Sequence, residues 1–212
     1  MKKRMFITFE GLEGSGKSTQ AGLLASRLKE EKIAIKVTRE PGGSRIGELI
    51  RQITHSKENV DLTAVAEAYL MAASRAQHVR EIIRPALGVG LTVICDRYID
   101  SSLAYQGYGR KLGVEVIYEL NKLAVDGVFP DLTVLLDIEL REGFARRNGT
   151  DKIDRLDLQQ SDFYQRVYQG YKKLAEKYKK RYFVVDSSCP INDVADKIWN
   201  KVKNFNLKGG VI

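Results

Sequence analysis

"GLEGSGKST", residues 11–19, follows directly on the apolar run Met5-Phe6-Ile7-Thr8-Phe9 and a single charged residue, Glu10. Gly11, Gly16, Lys17 and Ser18 match the spacing G-x-x-x-x-G-K-[ST], with a strand pattern before it and a helix containing Leu23, Leu24 and Leu28 after it. That chemistry suits a chain of phosphates. Glycines let backbone N–H groups converge on phosphate oxygens, and the helix N-terminus adds partial positive charge. Lys17 is placed to reach the outer phosphates and Ser18 to ligate Mg²⁺. The expected phosphate loop is Gly11, Leu12, Glu13, Gly14, Ser15, Gly16, Lys17, Ser18 and Thr19.

Outward from this loop, short β-rich apolar runs recur at Met5–Phe9, Ile33–Val37, Leu91–Cys95, Leu132–Leu136 and Tyr182–Val185. Helical spacing lies between them, as in Ile117, Leu120 and Ala124, or Val194, Ile198, Val202 and Phe205. Strands alternating with helices predict an α/β fold with a parallel sheet covered on both faces. No repeat or low-complexity linker interrupts the 212 residues, which read as one domain. Residues 146–157, "RRNGTDKIDRLD", are polar, dense in charge and contain the turn signal Asn148-Gly149, and so read as a lid between two helices. The helix around "AVAEAYLMAASRAQH" is apolar on nearly every side from Ala64 to Ala73, which predicts passage through the interior with Arg75 emerging into a cleft.

Net charge is +8, which suits polyanionic partners of several kinds. The two cysteines show no C-x-x-C and no His cluster accompanies them, so neither a disulfide framework nor a zinc site is expected and a reducing, cytoplasmic compartment fits. The Met-Lys-Lys-Arg start resembles a signal sequence, but the apolar run behind it ends at Glu10 with no cleavage site, and no run approaches the roughly 18 apolar residues of a membrane span.

A phosphate loop defines only the donor side. Asn121-Lys122 is followed by Leu123-Ala124 rather than completing N-K-x-D, and no D-x-x-G occurs, which argues against a switch GTPase. Cys95-Asp96-Arg97-Tyr98 departs from the Asp-Glu pair of motor ATPases, although Asp96 can still hold Mg²⁺ through water. If the acceptor is itself a phosphate monoester, two polyanions must meet. Repulsion between unit charges at 4 Å is about 1 kcal/mol in water and about 4 kcal/mol at an effective dielectric of 20, so fixed cations are needed between them. Arg39, Arg51, Arg75, Arg97, Arg146, Arg147, Lys152 and Arg155 are the candidates, with Arg39 and Arg97 at strand ends where doubly wound sheets bind ligands.

At this point the residues match a family. "FEGLEGSGKST", "TREPGG", "AASR", "DRYIDSSLAYQG" and "FPDLTVLLD", in this order and spacing, resemble bacterial thymidylate kinases over essentially the whole chain. The resemblance implies a P-loop NTPase α/β/α fold with five parallel strands and a short helical lid. It also implies transfer of the ATP γ-phosphate to dTMP with Mg²⁺, and a homodimer. By the same resemblance Lys17 and Ser18 serve ATP and its magnesium, and Asp96 the metal environment. Arg97 touches phosphoryl groups of both substrates, Arg39, Pro41 and Arg51 lie on the dTMP phosphate side, and Glu13 faces the sugar 3′-hydroxyl. Arg75 and Gln106 read the thymine edge, Ser102 lines the base pocket, Tyr105 crowds the 2′ position, and Met71 stands where the family often stacks phenylalanine on thymine. Gly14 occupies a position where some members carry arginine and lack lid arginines; this chain has them, notably Arg155, the expected catalytic cation. The alternatives are a kinase for another nucleoside monophosphate and, from the net charge, a nucleic-acid-binding ATPase; against the latter, no aromatic stacking motif accompanies the basic segments. His55 and His78 show no ligand spacing, and Trp199 and Phe205 read as core.

Overall fold

A computed structural model describes residues 4–147, 155 and 161–207. Five strands, β1 (Phe6–Glu10), β2 (Ile35–Arg39), β3 (Thr92–Asp96), β4 (Leu132–Asp137) and β5 (Tyr182–Asp186), form one parallel sheet in the order β2-β3-β1-β4-β5. Each strand runs one or more residues past the apolar segment that marks it in the sequence. Ladder pairing continues into the polar residues at the carboxyl end, so that Arg39, Asp96 and Phe9 are register partners across three strands.

Successive residues of β1 point to opposite faces. Met5, Ile7 and Phe9 pack with Leu24 and Leu28 of α1 (Lys17–Glu30) and with Val194, Ile198 and Val202 of α9 (Ile191–Leu207); Trp199 and Phe205 are partly buried against the same cluster. Phe6 faces the other layer, with Leu103, Ile117 and Val167. That layer contains α3 (Ala64–His78), α6 (Val114–Val125) and α8 (Ser161–Lys177), the expected three-layer α/β/α arrangement. The chain order also includes α2 (Arg45–His55), α4 (Arg84–Gly88), α5 (Ile99–Ser102) and α7 (Leu140–Arg147). At about 1.5–3 kcal/mol per fully buried large apolar side chain, these two clusters supply the main stabilisation of the sheet.

Two expectations change. The helix read as interior on nearly every side, α3, leaves Val65 54% and Tyr69 62% exposed, because only the face carrying Ala68, Met71 and Ala72 meets the sheet layer. Of the lid, the side chain of Arg147, the Asn148-Gly149 turn and Lys152 lie outside the described residues; Arg146 and Arg155 lie within them.

Two π-helical stretches occur among the described residues, Val79–Ile83 and Leu103–Gly109. The second carries Tyr105 and Gln106 toward the site. Such wide turns re-aim side chains relative to a continuous α-helix.

Candidate active site

The loop from β1 to α1 enters the helix through Gly16, whose φ of +88° is left-handed and costs a glycine little. Lys17, buried, folds its ammonium back onto the Leu12 carbonyl at 2.7 Å and lies 3.4 Å from Ser15 Oγ. Burial above all, and then the neighbouring Arg97 guanidinium, lower its pKa to about 8. Ser18 Oγ donates to Asp96 Oδ2 at 2.5 Å, which joins the start of α1 to the end of β3. Hydroxyl and carboxylate oxygens at this loop are hard donors that fit Mg²⁺, an ion that takes few protein ligands and keeps several waters.

Arg97, one residue beyond β3, is the centre of a buried polar group. Its backbone is left-handed at φ +70°, held by its N–H donating to Phe9 O at 2.9 Å. Nη2 donates to Glu13 Oε1 at 2.9 Å and to Tyr105 OH at 3.2 Å, while Nη1 donates to Ser101 Oγ at 3.0 Å and to Tyr171 OH at 3.2 Å. Tyr105 in turn donates to Glu13. Burial alone would raise the Glu13 carboxyl, but Arg97 and Lys17 hold it below the ordinary carboxylate value. Behind Arg97, Glu10 accepts from the Tyr98 N–H at 2.8 Å, Ser101 Oγ at 2.6 Å and Tyr171 OH at 3.0 Å. Burial and, second, Asp100 push this carboxyl up to about 7.

At the other end of the cleft, Arg39 pairs with Glu48 and is half exposed, and Arg51 Nη1 donates to Pro41 O at 3.2 Å. The Glu40-Pro41 bond is cis, and the Glu40 N–H donates to Asp96 O at 2.9 Å. Glu40 is buried. Its Oε2 accepts from Nε of Arg75 at 2.8 Å and lies 2.7 Å from Nη2, while Oε1 meets His78 Nδ1 at 3.0 Å. Arg75 also donates to Ser102 Oγ at 2.9 Å, to the Asn121 amide oxygen and to Tyr98 O at 3.0 Å. Each of its N–H groups thus has a partner within the chain, including a hydroxyl that can be exchanged for a ligand oxygen.

A cavity of about 730 Å³ joins the two ends. Its walls include Glu13, Gly14, Gly16, Lys17, Ser18 and Thr19 of the loop, Asp96 and Arg97 of the β3 end, and Arg39, Pro41 and Arg51 of the β2–α2 segment. Met71, Arg75, Ser102, Tyr105 and Gln106 close the far end, and Arg146 reaches it from α7. Among the loop residues, Gly11, Leu12 and Ser15 shape the turn without lining the cavity. Arg155 does not line it either: it is buried, with Nε donating to Thr54 O at 3.0 Å and Nη2 against the Glu67 carboxylate. The structure adds Glu10, Glu67, Asn121 and Tyr171, which hold the lining residues from behind, and Glu40 and Ser101, which hold Arg75 and Arg97 and also line the cavity. Glu10 had a signal, a charge ending an apolar strand just before a glycine. Ser101 stands four residues after Arg97, whereas Glu40, Glu67, Asn121 and Tyr171 reach the residues they hold over separations of 35 to 74 residues and carry no local pattern.

A nucleotide-sized cleft with a phosphate loop at one end and a buried Arg–Gln–Ser–Met wall at the other agrees with three comparisons. The family model for thymidylate kinase matches residues 9–198. The thymidylate kinase of Clostridium novyi is 46% identical over 207 residues, covering 97% of this chain and 99% of that protein. That of Geobacillus thermodenitrificans is 47% identical over 191 residues, covering 89% and 85%. Among solved structures, the crystal structure of thymidylate kinase from Ehrlichia chaffeensis is similar at a TM-score of 0.77, with 35% identity over 95% of this chain and 99% of that one. With the family model spanning nearly the whole chain and relatives of this identity end to end, the chain belongs to the thymidylate kinase family.

Proposed function

We propose that this chain transfers the γ-phosphate of ATP to dTMP, giving dTDP and ADP. The observation that carries the reading is that the Lys17 loop and the Arg75–Gln106 wall face one another in one cavity across Arg97. An oxygen of the dTMP phosphate attacks the γ-phosphorus, the bond from that phosphorus to the β,γ-bridging oxygen breaks, and ADP departs with the electron pair. The attacking group is already anionic, so positioning and charge stabilisation matter more than a general base. Lys17 and the loop amides bind the donor phosphates, and Ser18 and Asp96 would hold Mg²⁺, which would neutralise charge on the donor phosphates. Arg97, fixed by four side chains, serves both phosphoryl groups, with Arg39, Arg51 and the Pro41 turn on the acceptor phosphate. Glu13 receives the 3′-hydroxyl, Tyr105 closes the 2′ position, and Met71 covers the thymine face. Arg75 offers the N–H now on Ser102 Oγ to a thymine carbonyl, and Gln106 meets the base edge. Arg155, the expected catalytic cation of the 146–157 lid, has to exchange Glu67 for phosphate oxygens to act.

We also read the chain as one domain that works as a homodimer in the cytoplasm, with no nucleic-acid or membrane partner. Val65 and Tyr69 of α3, with Val116 and Leu123 of the adjoining α6 at 63% and 89% exposure, support a helical dimer face. No helix among the described residues is long and apolar enough to cross a membrane. The test is ADP formation from Mg-ATP with dTMP, dUMP, dCMP, dGMP, UMP or no acceptor. The reading expects dTMP to exceed the rest by orders of magnitude; hydrolysis without acceptor dependence would overturn it.

A further inference from the structure

Glu67, in the first turn of α3, is completely buried although it is a carboxylate. It accepts from Gln106 Nε2 at 2.7 Å, from Arg110 Nε at 3.3 Å and Nη2 at 2.9 Å, and from Arg155 Nη2. Burial by itself would raise its pKa, but the bond and charge of Arg110, then Arg155 and Gln106, hold it below the ordinary carboxylate value. An ionised carboxylate only accepts hydrogen bonds. Gln106 therefore has to turn its NH₂ toward Glu67, and its Oε1 is left on the opposite side of the amide. Gln106 lines the cavity, and among the described residues no donor bonds its Oε1.

We infer that Glu67 is a specificity-determining positioning residue: by locking the Gln106 amide it presents an acceptor to the base and selects pyrimidines that carry a proton on N3. The inference rests on the reading of dTMP as acceptor. Thymine and uracil donate N3–H to a fixed Oε1. Cytosine has a lone pair on N3, so the same geometry sets two acceptors against each other, and a buried acceptor without a donor is disfavoured. If the amide were free to rotate by 180°, Nε2 could donate to cytosine N3 and the distinction would fade. Glu67 itself touches no substrate in this scheme.

The test is Glu67→Gln, with kcat/KM measured for dTMP, dUMP and dCMP. A neutral amide at position 67 can accept or donate, which unlocks Gln106. The preference for dTMP over dCMP should fall by about 10- to 100-fold, the scale of one unsatisfied buried polar group. The preference for dTMP over dUMP should stay unchanged, since both present the same N3–H edge. Equal loss for all three substrates, or an unchanged dTMP:dCMP ratio, would overturn the inference. In a Gln106→Met background, Glu67→Gln should leave the dTMP:dCMP ratio where Gln106→Met alone puts it; a further change would also overturn it. In the wild-type protein, the side-chain amide protons of Gln106 should resist solvent exchange both free and with dTMP bound; rapid exchange contradicts the lock without any variant. Wild-type protein that phosphorylates none of the three would overturn this inference together with the reading beneath it.

Discussion

Gly14→Ala tests how the phosphate loop is seated on α7. Gly14 has φ +74°, and a Cβ built on it would lie 2.1 Å from the carbonyl oxygen of Gly143 and 2.9 Å from its carbonyl carbon. Both atoms are backbone, so no flexible side chain can yield, and the loop and α7 must separate by roughly 1 Å to restore ordinary contact. The left-handed conformation costs an alanine about 1–2 kcal/mol, and overpacking adds about 1–3 kcal/mol. For a chain of this size, the resulting loss of about 2–5 kcal/mol corresponds to a Tm drop of roughly 4–20 °C. Gly143→Ala is the control: its Cβ meets Glu13 O at 2.9 Å, a smaller overlap, and alanine in a helix recovers about 0.5–1 kcal/mol of backbone entropy. Thermal melts followed by circular dichroism should rank Gly14→Ala well below Gly143→Ala. Because α7 carries Arg146 to the cavity, kcat for Gly14→Ala should fall as well. A Gly14→Ala protein melting within about 2 °C of wild type, or a Gly143→Ala protein melting below Gly14→Ala, would refute the close approach as the reason for glycine here.

Other outcomes follow from the same geometry. Lys17, at about 8 in the free chain, gains a charged partner in a bound triphosphate, so ATP binding near pH 8.5 should take up protons and weaken as pH rises; calorimetry in two buffers of different ionisation enthalpy showing no uptake would exclude this. Glu10, at about 7 folded against an ordinary 4.5, binds its proton more tightly in the folded chain, so its contribution is present below pH 4.5 and is lost as pH rises through 7; Glu10→Gln should flatten the fall in Tm between about pH 5 and 8, and parallel curves would contradict that. Arg75→Ala should raise KM for dTMP more than it lowers kcat and, by stranding buried Glu40, cost about 3–5 kcal/mol of stability in chemical denaturation; equal loss for all nucleotides would speak against base reading. Arg155→Ala should lower kcat more than it raises KM for dTMP if its contact strengthens in the transition state, and an unchanged kcat removes it from the phosphoryl step.

The parts of the fold that local chemistry decides were legible. Five apolar runs became five strands, and the glycine-lysine-serine spacing became a turn into a helix, because each depends on neighbours within a few residues. Strand ends were less so, since pairing to β3 carries β2 through Arg39 whatever its hydropathy. The exposure of Tyr69 was hidden for a related reason: an apolar side chain does not say whether the sheet or another surface covers it. Arg97 and Arg75 could be named from strand-end position and from the abrupt end of an apolar helix. What holds them could not, because Tyr171 reaches Arg97 from 74 residues away and Glu40 reaches Arg75 from 35. Arg155 shows the limit most clearly: it reads as the catalytic cation of a charged lid, and nothing near it in the sequence signals that the buried Glu67 carboxylate, 88 residues away, gathers it inward.

The strand order turns the sheet into a ruler for the reaction. The phosphate loop hangs from β1, the Asp96-Arg97 pair from β3 and the Arg39–Pro41 turn from β2, with Phe9, Asp96 and Arg39 at one level across the three strands. Neighbouring strands are spaced by about 4.8 Å, so the roots of the donor and acceptor sites stand roughly 10 Å apart with β3 midway. In the transfer proposed above, the phosphoryl group crosses over β3, the strand that ends beside Arg97. Backbone hydrogen bonds, which no side-chain substitution lengthens, thereby fix the spacing at which these loops are rooted.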